Sequence, residues 1–262
     1  MRRLPLPLFG LAVAVLAAQS PQPGGPARQA LLEKVGDFAR GYLQHLPDFV
    51  CLRITQHYTR KAGSPDWKLQ VKIAEELSWF QHSEHYRVVA VNDVPRNKVP
   101  RLVMWSGLVT TSGSFGKVVE ELFAPESHAA FAWKGTETIA RAEAWVFSYR
   151  VPRGYTVKSC RGLIIPVCKT SDYPYGGAIY ISPDNASILR ITVAPENPKP
   201  QDAGAHSIDY GRVTIAGSEY LLPVADSYQQ VFGKTEIRNE AVYRDYRKFT
   251  ADSTIRLAPD GR

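Results

Sequence analysis

Cysteine is scarce in this sequence: Cys51, Cys160 and Cys168 are the three in 262 residues. An odd number permits at most one intramolecular disulfide in an oxidising compartment and leaves one thiol over, so cross-links cannot be what holds the fold. Blocks of like charge are missing, as is any interleaving of aromatic and basic residues of the nucleic-acid-binding kind, which argues against a nucleic-acid partner. Catalytic signatures are missing too. There is no Gly-x-Ser-x-Gly elbow, no phosphate-binding glycine loop, no His-Glu-x-x-His and no Cys-x-x-Cys. No internal repeat and no alternation of strands with long helices is visible, which excludes solenoids and parallel βαβ architectures.

What is present begins with an N-terminal layout of Met1-Arg2-Arg3, an apolar run from Leu8 to Ala18, and small residues at its end. This is the pattern of a secretory signal peptide over residues 1–18, followed by a flexible leader at 19–26; an N-terminal membrane anchor is the alternative. The apolar run is too short to span a bilayer as a mature helix. The formal net charge of +7 falls to +5 without Arg2 and Arg3. In an exported protein that excess fits contact with anionic lipid head groups or cell-wall polymers, or serves solubility alone. A single β-rich domain is expected over 27–250, with a C-terminal tail at 251–262, and 44% apolar residues suffice for its core.

Within that domain one long helix is expected from Ala27 to Leu46, with Leu31, Val35, Phe38, Tyr42 and Leu46 forming its apolar stripe and Pro47 ending it. Strands follow. From Phe49 to Arg60, Val50, Leu52, Ile54 and Tyr58 alternate with Cys51, Arg53, Thr55, His57 and Thr59, the pattern of a strand with one buried and one polar face. Lys117 to Phe123 reads as a short inserted helix capped by Ser112 or Ser114. Two hairpins can be given a register by parity. Ile179 and Ile181 share a face with Leu189, Ile191 and Val193, which demands an odd loop; Pro183-Asp184-Asn185, with Asn185 left-handed, would pair Ile179 with Leu189 and Ile181 with Ser187. Val213 and Ile215 must share a face with Tyr220 and Leu222, which demands an even loop; Gly217-Ser218 in a type II′ turn would pair Ile215 with Tyr220. The expected fold is mainly β with an α+β character: a curved antiparallel sheet of about 9–11 strands, one long N-terminal helix and one short inserted helix.

Candidate chemistry is sparse. Ser114-Phe115-Gly116-Lys117 matches the Ser-x-x-Lys of penicillin-recognising enzymes but lacks their Lys-Thr-Gly strand; helix capping is the simpler reading. His82 and His85, with Glu75 and Glu76 upstream, could gather a metal only in a turn or helix, and a solvated loop is the simpler reading. No cofactor is called for. Cys160 and Cys168 flank a short excursion that a disulfide between them could clip, leaving Cys51 as a small buried hydrophobe or, more sharply, a catalytic thiol. The positive signal is aromatic. A concave apolar face is expected from Trp67, Leu69, Val71, Tyr86, Trp105, Phe131, Trp133, Trp145, Phe147 and Tyr149, either as a ligand cavity or as an ordinary core.

The order of these elements, and the hairpin carrying Gly177, Tyr180, Ile181, Asp184, Asn185, Leu189, Arg190 and Ile191, resemble the periplasmic lipoprotein-carrier (LolA-like) and sigma-regulatory RseB-like half-barrels. The resemblance covers residues 27–250 and implies a strongly curved sheet with helices on its concave side. It also implies reversible binding of lipid or acylated protein, with Arg53 or Arg87 as candidates for a ligand-contacting arginine. The functional expectation is a non-enzymatic periplasmic or secreted binder of a lipid, an acyl chain or a lipoprotein, with an envelope protein as a possible partner. A fully packed structural or interaction domain is the alternative, and an envelope hydrolase the third.

Overall fold

The computed structural model describes residues 23–98, 117–161, 167–199 and 204–250. Two helices lead: α1 over Gly25–Arg40 and α2 over Tyr42–His45. Pro26 sits in the first turn of α1, where a missing N–H costs nothing. Leu31, Val35, Gly36, Ala39 and Tyr42 are the residues these helices bury. Phe38, expected on that stripe, is instead 45% exposed, because the stripe passes through Ala39. The helix breaks at Gly41, where the His45 ring folds back: a Cβ there would lie 2.8 Å from the ring.

Eleven strands follow: β1 Phe49–Lys61, β2 Lys68–Phe80, β3 Ser83–Val91, β4 Val94–Pro95, β5 Ala130–Ile139, β6 Ala142–Arg161, β7 Val167–Ile181, β8 Ile188–Pro195, β9 Gly204–Ile215, β10 Ser218–Phe232 and β11 Thr235–Lys248. A third helix, α3 over Lys117–Phe123, stands between β4 and β5, where an inserted helix is expected. All the strands belong to one open sheet in the order β4-β3-β2-β1-β11-β10-β9-β8-β7-β6-β5, and every pair is antiparallel. The chain thus lays down β1 to β4 outward in one direction, passes to the far edge, and returns strand by strand until β11 pairs with β1. The largest core lies where α1, α2 and α3 pack on β6 to β9, around Leu31, Val35, Leu122, Phe147, Ile179 and Ile208. A second core joins Phe49, Cys51, Leu77, Trp79, Leu222 and Tyr243 beneath Leu43 and Leu46.

Both parity-derived registers are corrected. In the β7–β8 hairpin, Ile179 pairs with Ile191 and Ile181 with Ile188. The loop has four residues: Ala186, at φ +56°, donates its N–H to Ser182 O, and Ser182 donates to Ser187 O. Asn185 uses its Oδ1 to accept the Ser187 N–H, which holds it in an Asx turn and passes the left-handed position to Ala186. An even loop would put Ile179 and Ile191 on opposite faces, and one bulged residue in β8 restores the parity. In the β9–β10 hairpin the loop is even as expected, but its central residues are Ala216 and Gly217, both at positive φ, which makes it type I′; Ile215 pairs with Ser218 and Val213 with Tyr220.

β1 departs furthest from expectation. Val50 and Leu52 are buried on one face, yet Cys51, Arg53, Thr55 and His57 are buried on the other. The continuous apolar start Phe49-Val50-Cys51-Leu52 is the sign of a strand covered on both faces.

Candidate functional site

The face of the sheet that carries the helices is chemically divided. At the β5–β7 end it is aromatic. Phe131 stands opposite Tyr149 and Trp133 opposite Phe147 across β5 and β6, while Trp145 lies edge-on to Trp133 at 5.8 Å. Tyr175 continues the wall, 6.3 Å edge-on from Tyr149. Two helices meet this wall: Phe123 of α3 stacks on Phe131 at 5.2 Å, and the Arg28 guanidinium of α1 lies over the Trp133 ring at 4.9 Å. Tyr149 donates its hydroxyl to Thr192 O, and burial pushes its pKa well above the ordinary tyrosine range, so it serves as a neutral donor. The same Thr192 O would sit 1.8 Å from any Cβ on Gly177, so only glycine lets β7 approach β8 here.

Between α1 and the β5 edge runs a groove of about 520 Å³, lined by Leu32, Gly36, Phe123 and Phe131 with Gln29, Glu33, Asp37 and Arg40 on its rim. On the opposite flank of the helices lies a second groove of about 460 Å³, lined by Phe38, Tyr42, Leu46, Tyr220 and Leu221 among others. Helix α1 is therefore bedded on the sheet along one line and open on both sides.

At the β1–β11–β10 end the same face is polar. Arg53, 3% exposed, holds Asp226 and Glu75 at 3.6 Å each, and its guanidinium lies between the Tyr86 and Tyr243 rings at 5.6 and 5.8 Å. Burial alone would raise the Asp226 pKa, but His206, Arg53 and Tyr243 outweigh it and hold that carboxyl below its ordinary value. Glu75 goes the other way: burial raises its pKa more than Arg53 lowers it. Two rows further along β1, fully buried His57 donates Nδ1–H to Asn239 Oδ1 at 2.6 Å. Its Nε2 and the neighbouring Thr55 Oγ1 are buried without a hydrogen-bond partner among the described residues. This lane was absent from the sequence reading, which assigned Arg53, Thr55 and His57 to the polar face of a half-buried strand.

The remaining sequence candidates scatter. Val71 packs with Ile73 and Val91 in a cluster of its own, and Tyr86 belongs to the polar lane. Leu69 stands opposite Tyr58, past the irregularity that takes it out of step with Val71, and is exposed. Trp67 precedes β2 and lies between the Arg60 and Arg238 guanidinium groups at 4.4 and 4.5 Å. Trp105 and Ser114 fall outside the described residues, as do residues 1–22 and 251–262. Glu75 faces Arg53 while Glu76 binds Arg87 at 2.8 Å, and His82 stands in the β2–β3 turn, so these groups do not converge with His85 on a metal. Arg87, the other candidate arginine, is on the surface in that pair. Cys51 is buried in the second core, and burial pushes its thiol pKa far up, the opposite of what a nucleophile needs.

No protein-family model matches the chain, and no characterised protein is found as a relative in sequence. Among solved structures the chain is similar to a DUF1329 family protein from Desulfovibrio piger, at 8% identity and a TM-score of 0.36 over 88% of this chain and 96% of that one. It is also similar to a protein domain from Vibrio parahaemolyticus assigned to outer membrane lipoprotein sorting, at 9% identity and a TM-score of 0.36 over 87% of this chain and 95% of that one.

Proposed function

We propose that this protein is a non-enzymatic binder of the cell envelope that takes the apolar chain of a lipid or acylated protein against its aromatic inner face, the sheet curving about its helices as a half-barrel. The observation that supports this is the groove between α1 and the β5 edge. Its volume of about 520 Å³ is within the range of small-molecule sites, and its stacked Phe123 and Phe131 lead directly onto Trp133, Phe147 and Tyr149. The rim belongs to α1, where Arg40 pairs with Asp37 and Gln29 donates to the Glu33 carboxylate, while Leu32, Phe123 and Phe131 are the surface that an apolar chain would meet.

The test is saturable binding of a fluorescent 18-carbon fatty acid, with native mass spectrometry of protein taken from its own envelope. Gly36→Met, which projects into the groove with its Cβ 3.4 Å from the Phe123 ring, should weaken binding about tenfold, and a urea midpoint measured beside it separates a filled groove from a displaced α3. No saturable binding together with no co-purifying lipid would overturn the proposal. A second reading draws on the complete burial of Phe147, Ile179 and Ile181: the aromatic wall as a packed core in a protein-interaction domain. Absence of saturable binding in a wild-type protein that unfolds cooperatively would favour it.

A further inference from the structure

The β6–β7 hairpin outruns its neighbours. On one side β5 ends where Ala130 pairs with Arg150, and on the other β8 ends where Pro195 pairs with Tyr175. Beyond Tyr155 and Tyr173, six further pairs, from Thr156↔Asp172 to Arg161↔Val167, form a two-stranded ribbon that has no other strand beside it among the described residues. A two-stranded ribbon has no second layer to bury a face against and is marginal in water by itself. A cross-link between its two strands would hold it closed.

The register places Cys160 directly opposite Cys168, one pair from the ribbon's last. Directly opposed residues in an antiparallel pair have Cα atoms about 4.5–5.5 Å apart, in either of the two alternating pair types. That interval falls inside the roughly 4.4–6.8 Å over which a disulfide closes without backbone movement. The third cysteine offers no competing partner. Cys51 is buried in β1, and β11, β10, β9, β8 and β7 all stand between β1 and β6 in the sheet.

We infer that Cys160 and Cys168 are joined by a disulfide that staples the β6–β7 ribbon, and that Cys51 remains a thiol. The bond forms by loss of one proton and one electron from each thiol. The two protons and two electrons pass to the disulfide of an oxidised thiol–disulfide oxidoreductase, which is left as a dithiol.

The full-length chain, expressed with export into an oxidising compartment, is unfolded in denaturant and alkylated with iodoacetamide before and after reduction. One labelled thiol before reduction and three after are expected. Trypsin should release Ser159–Arg161 joined to Gly162–Lys169, two hydrogens lighter than the separate peptides. Cys51→Ala should leave that linked product in place, whereas Cys160→Ser should expose both remaining thiols to label. On the folded protein, reduction or Cys160→Ser should speed tryptic cleavage after Arg161 on the order of tenfold or more, through release of the closed loop. Three labelled thiols before reduction, a linked peptide containing Cys51, or a disulfide-bonded dimer would each overturn the inference.

Discussion

Arg53 shows how much depends on one side chain. It is the cation facing buried Asp226 and Glu75, and removing one member of a buried charge network leaves the others unpaired in a medium that solvates them poorly. Arg53→Met should therefore destabilise the protein by about 3–5 kcal/mol in urea unfolding, and Arg53→Met with Asp226→Asn should recover part of that loss. The two carboxylates also give pH dependences of opposite sign. Asp226 has a folded pKa below its ordinary 3.8, so its contribution is present above that value and is lost as pH falls through the folded pKa. Glu75 has a folded pKa above its ordinary 4.5, so it favours the folded state below 4.5 and that contribution is lost as pH rises through the folded pKa. Asp226→Asn should flatten the acid limb of a stability–pH curve, and Glu75→Gln should flatten the decline just above pH 4.5; an unchanged curve in either variant would remove that residue from the account. None of this was legible in the alternation of β1. A strand with polar residues at every second place looks the same whether those residues meet water or buried partners in the last two strands of the chain, and Asp226 in β10 and Asn239 in β11 are such partners.

Among the elements, the hairpins show what periodicity can and cannot fix. Apolar residues two apart identify both strands and the parity of the pairing, because the side chains of a strand alternate faces. They do not identify the register. A bulge in β8 changes the count of residues without changing which face Ile179 and Ile191 share, and Ala216 accepts a conformation that composition would give to glycine or asparagine. Ala216, at φ +50°, is strained in the type I′ turn, so Ala216→Asn should stabilise the protein by ~1 kcal/mol, read from the urea midpoint at unchanged slope. A loss of stability would mean that the turn is not type I′. The candidate site was legible in part for the same reason: Phe131, Trp133, Trp145, Phe147 and Tyr149 share a face by local alternation, whereas Leu69 is taken off it by a register irregularity between β1 and β2 that has no local signature, and Trp67 lies before β2, held between Arg60 and Arg238.

For the whole molecule, the β1–β11 pairing unites the sheet. It holds β1 to β4 to the strands that come after them, over twelve residue pairs, from Phe49↔Lys248 to Lys61↔Thr235. A chain truncated after Gly233 loses β11, leaving both β1 and β10 with a free edge in the middle of the former sheet, and should lose its cooperative unfolding transition altogether; a truncated chain that still unfolds in one sharp step would show that the two halves are held together by other contacts. This pairing also sets when the fold can form. Its partners lie almost the whole described chain apart, so a chain growing from the ribosome has nothing to complete the centre of its sheet until its last strand has been made. The two halves, β1–β4 and β5–β10, are each built of hairpins between neighbouring strands, so along the growing chain they stay two separate ribbons of sheet until β11 arrives to bridge them.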